Sequence, residues 1–76
     1  MVKKQFTNPE KFFQKFGARI RQVRQERDLT QEDMFDLGFS YRFFQRIEAG
    51  KPIHLKTALR LADAFRVSIE YLFKNL

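Results

Sequence analysis

Residues 30–50, TQEDMFDLGFSYRFFQRIEAG, contain the pattern that decides the fold of this 76-residue chain. Thr30 begins a short helix with a near capping box, in which Asp33 stands where glutamate is usual. Gly38 ends that helix after about two turns, and Ser40 is a preferred N-cap for a second helix of about eight residues. Gly50 then offers a left-handed C-cap. The stretch predicts two short helices joined by a tight turn.

The second of these helices has distinct polar and apolar sides. At about 100° per residue, the apolar side contains Phe43, Phe44 and Ile47. The opposite side contains Tyr41, Arg42, Gln45 and Arg46. Arg42 and Arg46 stand one helical turn apart there, with no acidic residue between them. A helix fits the major groove of DNA, and arginine can donate two parallel hydrogen bonds to guanine. The pattern is typical of a helix-turn-helix whose second helix contacts base pairs.

Three more helices are predicted around this pair. Asn8 is a good N-cap, Pro9 suits the first helical position, and the first helix should run from about 9 to 27. Its apolar face comprises Phe12, Phe13, Phe16, Ile20 and Val23. A fourth helix carries Leu55, Ala58, Leu59, Ala62 and Phe65, and Ser68 caps a fifth that carries Tyr71, Leu72 and Phe73. We therefore expect an all-α fold, a compact five-helix bundle.

Composition favours one small domain with a polyanionic partner. The 15 Lys and Arg residues exceed the nine Asp and Glu residues and leave a net charge of +6. The absence of cysteine excludes a disulfide framework and a thiolate metal site. The longest apolar run, residues 71–73, is far too short for a signal peptide or a membrane span. We expect a soluble, cytoplasmic protein without membrane contact.

Several segments together resemble the phage-repressor and Cro-like helix-turn-helix family, also called XRE, over roughly residues 16–73. The matching segments are RIR at 19–21, VR at 23–24, LTQE at 29–32, LGFS at 37–40, RIEAGK at 46–51, LRLADAF at 59–65 and VSI at 67–69. The resemblance implies a lambda-repressor-like DNA-binding domain over residues 16–76. Residues 1–15 would then be an N-terminal extension and the start of the first helix.

The resemblance also implies a role for each matching residue. The base contacts would come from Tyr41, Arg42, Gln45 and Arg46, although the ring of Tyr41 would equally suit a phosphate. The phosphate contacts would come from Gln31, Lys51 and Lys56. Gln31 would also steady Tyr41, the first residue of the recognition helix. Arg24 would form an inward salt bridge with Glu48.

Two departures from the family pattern affect the second helix and a loop. Six residues separate Gln31 from Gly38, where most members have seven, and the loop between Gly50 and Leu55 is also one residue shorter. Either Met34 or Phe35 must then occupy the place where the family generally has alanine. The register of the second helix is open by one residue, whereas counting back from Gly50 keeps the third helix in register.

The sequence favours a bacterial or phage transcriptional regulator that binds double-stranded DNA sequence-specifically. Its helix at about 41–48 would enter the major groove, and a homodimer, most simply a repressor, would bind a palindromic operator. The expected dimer contacts are Tyr71, Phe73 and Leu76, or else Phe12 and Phe13. The alternative is an antitoxin-like or adaptor module, in which an aromatic surface holds a protein partner and the helix-turn-helix is secondary.

No catalytic or metal site is predicted. His54 is the single histidine and has no cysteine or nearby nucleophile to act with. Glu32, Asp33 and Asp36 have the placement of carboxylates that compensate a helix dipole. The three glycines, at 17, 38 and 50, are too scattered to form a phosphate-binding loop. We expect a protein that is not an enzyme and uses neither cofactor nor small-molecule ligand.

Overall fold

The computed structural model describes residues 8–76, which form four α-helices and one 3₁₀ helix. In chain order these are α1 (Pro9–Glu26), the 3₁₀ helix (Glu32–Leu37), α2 (Tyr41–Glu48), α3 (Leu55–Phe65) and α4 (Ile69–Phe73). No strand occurs within the described residues, and the prediction of an all-α, five-helix fold is confirmed. Residues 1–7 of the expected N-terminal extension lie outside the described residues.

Helix α1 begins where the capping residues place it. The Asn8 side chain accepts hydrogen bonds from the backbone N–H groups of Glu10, at 3.0 Å, and Lys11, at 3.2 Å. Pro9 follows at the first helical position, where its missing N–H costs nothing. The buried stripe of α1 then faces the other helices and contains Phe16, Ile20 and Val23. The helix ends at Glu26, one residue before the predicted end.

The second helix is a 3₁₀ helix, although the sequence predicted an α-helix. Six residues at about 2.0 Å each span about 12 Å, the length of about eight α-helical residues. The tighter winding therefore compensates for the missing residue before Gly38. The burial of the two candidate side chains settles the register of this helix, because Met34 is fully buried and Phe35 is 71% exposed. Met34 is therefore the residue that faces the core.

The predicted capping box at the start of the 3₁₀ helix is confirmed. The Thr30 backbone N–H donates to the Asp33 carboxylate at 2.7 Å, and the Asp33 N–H donates to the Thr30 hydroxyl at 3.1 Å. The hydrogen bond from the Thr30 backbone, with a smaller effect of its side chain, lowers the pKa of the Asp33 carboxyl. At the other end, Gly38 adopts the left-handed conformation with φ of 96°. Local interactions thus fix both ends of this segment.

One core joins all five helices. Its buried apolar members are Phe16, Ile20, Val23, Met34, Phe39, Phe44, Ile47, Ala58, Leu61, Ala62, Phe65 and Leu72. Leu55 and Leu59, which the sequence placed on the fourth helix, do not face this core, since they are 66% and 52% exposed. The buried side of α3 is centred between Ala58 and Leu61. Leu55 and Leu59 lie roughly 90° or more around the helix from that centre.

Helices α1 and α2 approach each other closely at Gly17, to which the sequence had assigned no role. A Cβ atom added at Gly17 would lie 2.6 Å from the Ile47 carbonyl oxygen and 2.7 Å from that of Glu48. Only glycine therefore lets the backbone of α1 lie against the last turn of α2. This contact sets how far α2 stands from the core.

Candidate nucleic-acid interface

Hydrogen bonds at both ends define α2 over Tyr41–Glu48. The Ser40 hydroxyl accepts from the Phe43 N–H at 3.2 Å, as the sequence predicted for an N-cap. At the other end Gly50 is left-handed, with φ of 91°. Its N–H donates to the Ile47 carbonyl, and the Lys51 N–H donates to the Arg46 carbonyl, both at 3.1 Å. Capping at both ends holds a helix that is too short to be stable alone.

The two sides of α2 have opposite environments. Phe44 and Ile47 are buried in the core, and Phe43 lies at the boundary with 37% of its surface exposed. The side chains predicted to contact bases all lie on the solvent side: Tyr41, Arg42, Gln45 and Arg46. The structure therefore brings these four together on one exposed face.

The exposed face of α2 carries only positive charge. Glu48, the one carboxylate of the helix, is turned inward, and its side chain is 6% exposed. Its partner is Arg24 of α1, whose Nε donates to one carboxylate oxygen at 2.6 Å and whose Nη2 donates to the other at 3.1 Å. The face of Arg42 and Arg46 is thereby left without a negative side chain.

Arg24 is satisfied at each of its nitrogens. Its Nη1 donates to the Leu29 carbonyl at 2.7 Å, and only 9% of its side chain is exposed. The hydrogen bonds to Glu48 raise the pKa of Arg24, and with the attraction of that carboxylate they exceed the opposing effect of burial. The forked pair ties α1 to the end of α2.

The Gln31 side chain makes no hydrogen bond to Tyr41, the residue that it was expected to steady. Its Nε2 donates instead to a Glu48 carboxylate oxygen at 2.9 Å. The ionised carboxylate is the stronger acceptor, and the pairing with Arg24 holds it within reach. Arg24, Gln31 and Glu48 thus form one network that joins α1, the start of the 3₁₀ helix and α2.

The two candidate phosphate-binding lysines lie on the surface. Lys51 is exposed two residues after Ala49, the C-cap of α2, and Lys56 is exposed in the first turn of α3. His54 is also exposed and precedes α3 without making a side-chain capping bond. Among residues 8–76, no group of three or more His, Cys, Asp or Glu residues is placed to hold a metal ion.

A comparison with protein families gives a match that agrees with this geometry. The model of a family described as helix-turn-helix covers residues 20–72, which is 53 of the 76 residues. The chain belongs to the XRE-type helix-turn-helix family. Neither the curated proteins nor the solved structures contain a match to it.

In this helix-turn-helix domain, the 3₁₀ helix and α2 are the two defining helices and residues 38–40 form the turn. Domains of this family are DNA-binding regulatory domains and are generally not enzymes. No helix in the part of the chain that the structure describes is both long and apolar enough to cross a membrane.

Sequence reasoning missed one arginine beside the turn of the helix-turn-helix. Arg60 of α3 donates from Nη2 to the Gly38 carbonyl at 2.8 Å, and its guanidinium lies 4.7 Å from the centre of the Phe39 ring. The two ends of this hydrogen bond are 22 residues apart in the chain. No local pattern relates residues at that separation, so only the fold reveals this contact.

Proposed function

We propose that this helix-turn-helix protein is a transcriptional regulator that binds double-stranded DNA sequence-specifically with α2 in the major groove. The observation that carries the proposal is the charge of the exposed face of α2. Arg42 and Arg46 stand one turn apart on it, while Glu48 is held inward by Arg24. Two guanidinium groups without a competing carboxylate suit the O6 and N7 acceptors of guanine. Tyr41 and Gln45 complete the proposed base-contacting set.

Phosphate contacts would flank this base-contacting set. Lys51 lies just beyond the C-terminal end of α2 and Lys56 in the first turn of α3, so both would lie beside the groove that α2 enters. Gln31 has a second amide hydrogen beyond the one donated to Glu48, and that hydrogen suits a phosphate oxygen. Such contacts fix the register of a protein on DNA and add no base preference.

A homodimer on a palindromic operator is part of the proposal. One helix of eight residues contacts too few base pairs for useful specificity, and two-fold symmetric half-sites about one DNA turn apart remedy this. Of the expected contact residues, Tyr71 is 36% exposed, whereas Phe73 and Leu76 pack partly against the core. We propose a repressor in the cytoplasm of a bacterial or phage-infected cell, acting without catalysis, cofactor or small-molecule ligand.

Selection of bound sites from random duplex DNA tests this function directly. Enrichment of a palindromic consensus is the expected result. Sedimentation of the protein with a selected duplex should then give two chains per duplex. A stable complex of one chain with a site that has no repeat would contradict the dimer, and would leave DNA recognition by α2 intact.

Arg42→Ala and Arg46→Ala should each weaken binding to the selected operator by about 1 to 3 kcal/mol and relax the preference at one base pair. Lys51→Ala should weaken binding to operator and scrambled duplex alike. It should also reduce the slope of log affinity against log salt by about one unit. Binding titrations on both duplexes at several salt concentrations distinguish the two patterns. Equal losses on both duplexes for the arginine variants would make them phosphate contacts.

A second candidate function is supported by the exposed ring of Phe35. This side chain is 71% exposed on the 3₁₀ helix, and Leu37, Tyr41 and Phe43 are each 37–44% exposed nearby in the chain. Exposed apolar side chains of this size suit a protein-interaction module, such as an antitoxin-like or adaptor protein. No enrichment of any DNA sequence in the selection would favour this second function.

A further inference from the structure

The carbonyl oxygen of Gly38 in the turn is bound from outside the helix-turn-helix. Within residues 8–76 no backbone N–H donates to this oxygen, and Arg60 of α3 does so at 2.8 Å. Gly38 has a left-handed backbone, and a Cβ atom added there would lie 3.7 Å from the same Arg60 nitrogen. The guanidinium therefore lies directly against the backbone of the turn.

The same guanidinium also contacts the side chain that follows in the turn. It lies 4.7 Å from the centre of the Phe39 ring, and Phe39 is 1% exposed. The Phe39 ring is stacked with that of Phe43, with centres 6.5 Å apart, and meets that of Phe44 edge-on at 6.0 Å. Phe43 and Phe44 belong to the first turn of α2. A continuous set of contacts thus runs from Arg60 to the start of α2.

The segment of α3 that carries this arginine is anchored in the core. Ala58 and Leu61, on either side of Arg60 in the chain, are buried in the core. The two residues that Arg60 contacts directly precede Ser40, the N-cap of α2. The contact with α3 therefore lies immediately before the N-cap residue from which α2 begins.

We propose that Arg60 is a positioning residue for DNA recognition. It acts through Gly38 and Phe39, and it holds α2 at the angle that places Arg42 and Arg46 in the groove. This inference rests on the proposed function of α2. It requires no contact between Arg60 and DNA.

The test compares Arg60→Ala with Arg60→Lys and with Arg21→Ala as a control for loss of one positive charge. Arg21 is exposed on α1, and its side chain makes no hydrogen bond or salt bridge within the described residues. Arg60→Ala should lose about tenfold in affinity for the selected operator, because it removes a hydrogen bond and a cation–π contact. Affinity for scrambled duplex and the salt slope should match those of Arg21→Ala.

Arg60→Lys separates charge from geometry. Lysine keeps the positive charge but lacks the planar group that contacts both the carbonyl and the ring. Arg60→Lys should therefore show most of the tenfold loss in operator affinity that is expected for Arg60→Ala. If Arg60 instead binds phosphate, Arg60→Lys should resemble the wild type. Arg60→Ala should then weaken both duplexes and lower the salt slope by about one unit. That pattern, or unchanged operator affinity of Arg60→Ala, overturns the proposal.

Amide hydrogen exchange of the free proteins tests the positioning without DNA. Arg60→Ala should accelerate exchange of the Phe39 N–H, bonded to Met34, and of the Phe43 and Phe44 N–H groups, relative to Arg21→Ala. Unchanged exchange at these amides overturns the positioning role. If wild-type protein selects no DNA sequence, the proposed function fails, and the exchange measurement still decides whether Arg60 orders the turn.

Discussion

Glu48→Gln is expected to lower the free energy of unfolding by about 3 kcal/mol. Both carboxylate oxygens of Glu48 accept hydrogen bonds, one from Arg24 and the other from Arg24 and Gln31. Glutamine has a single acceptor oxygen, so its NH₂ group would face a donor. Arg24 would also keep its charge in a place where only 9% of its side chain is exposed. Urea or thermal unfolding measures the loss.

Glu26→Gln is the matched control for this variant. Glu26 accepts a hydrogen bond from Gln22 at 3.2 Å on the exposed surface of α1, and its replacement should change stability by less than about 0.5 kcal/mol. If Glu48→Gln unfolds like Glu26→Gln, the network of Arg24, Gln31 and Glu48 contributes nothing to stability. The double variant with Arg24→Met and Glu48→Gln should lose less stability than the two single variants added together, because it leaves neither charge buried without its partner.

The pH dependence of the pair follows from the raised pKa of Arg24. A cationic group whose pKa is higher in the folded state contributes stability that is fully present below its unfolded pKa. That contribution is lost only as the pH rises through the folded value, which lies above the ordinary range for arginine. Neutral and moderately alkaline solutions therefore leave the contribution of Arg24 intact.

Gly17→Ala is expected to destabilise the protein by about 2 to 3 kcal/mol. Alanine in the middle of a helix is normally more stable than glycine by about 1 kcal/mol. At Gly17, however, the new methyl group would lie 2.6 Å and 2.7 Å from two carbonyl oxygens of α2. These oxygens belong to the backbone and cannot rotate away, so α2 must shift. Overpacking therefore outweighs helix propensity, and thermal unfolding should show the loss.

Ala18→Gly provides the comparison for Gly17→Ala. Ala18 is exposed on the same helix, and its replacement measures the propensity difference alone, a loss of about 1 kcal/mol. A gain of that size for Gly17→Ala would mean that α1 and α2 do not meet as closely as the structure has them. Because the shift moves α2, Gly17→Ala should also weaken operator binding at temperatures where the variant is fully folded.

Much of the helical framework could be predicted from the sequence because capping and periodicity act over three or four residues. Asn8, Thr30 with Asp33, and Ser40 each make the short-range hydrogen bonds expected of them. The polar and apolar sides of α2 also follow from its sequence, because a helix fixes the angle between successive side chains. These features need no knowledge of the neighbouring helices.

Tertiary packing decided what the local patterns left open. Met34 rather than Phe35 fills the core, and Leu55 and Leu59 stay exposed, because the positions of the other helices select the buried side. Gln31 bonds Glu48 because α1 holds that carboxylate in place with Arg24.

Two contacts at and beside α2 could not be predicted from the sequence. Gly17 meets Glu48 across 31 positions of the chain, and Arg60 meets Gly38 across 22. The sequence by itself determined which segments are helices and which side of α2 carries the arginines. The distance of α2 from the core and the angle at which it leaves the turn were decided only by folding, because the residues that set them are neighbours in space and not in sequence.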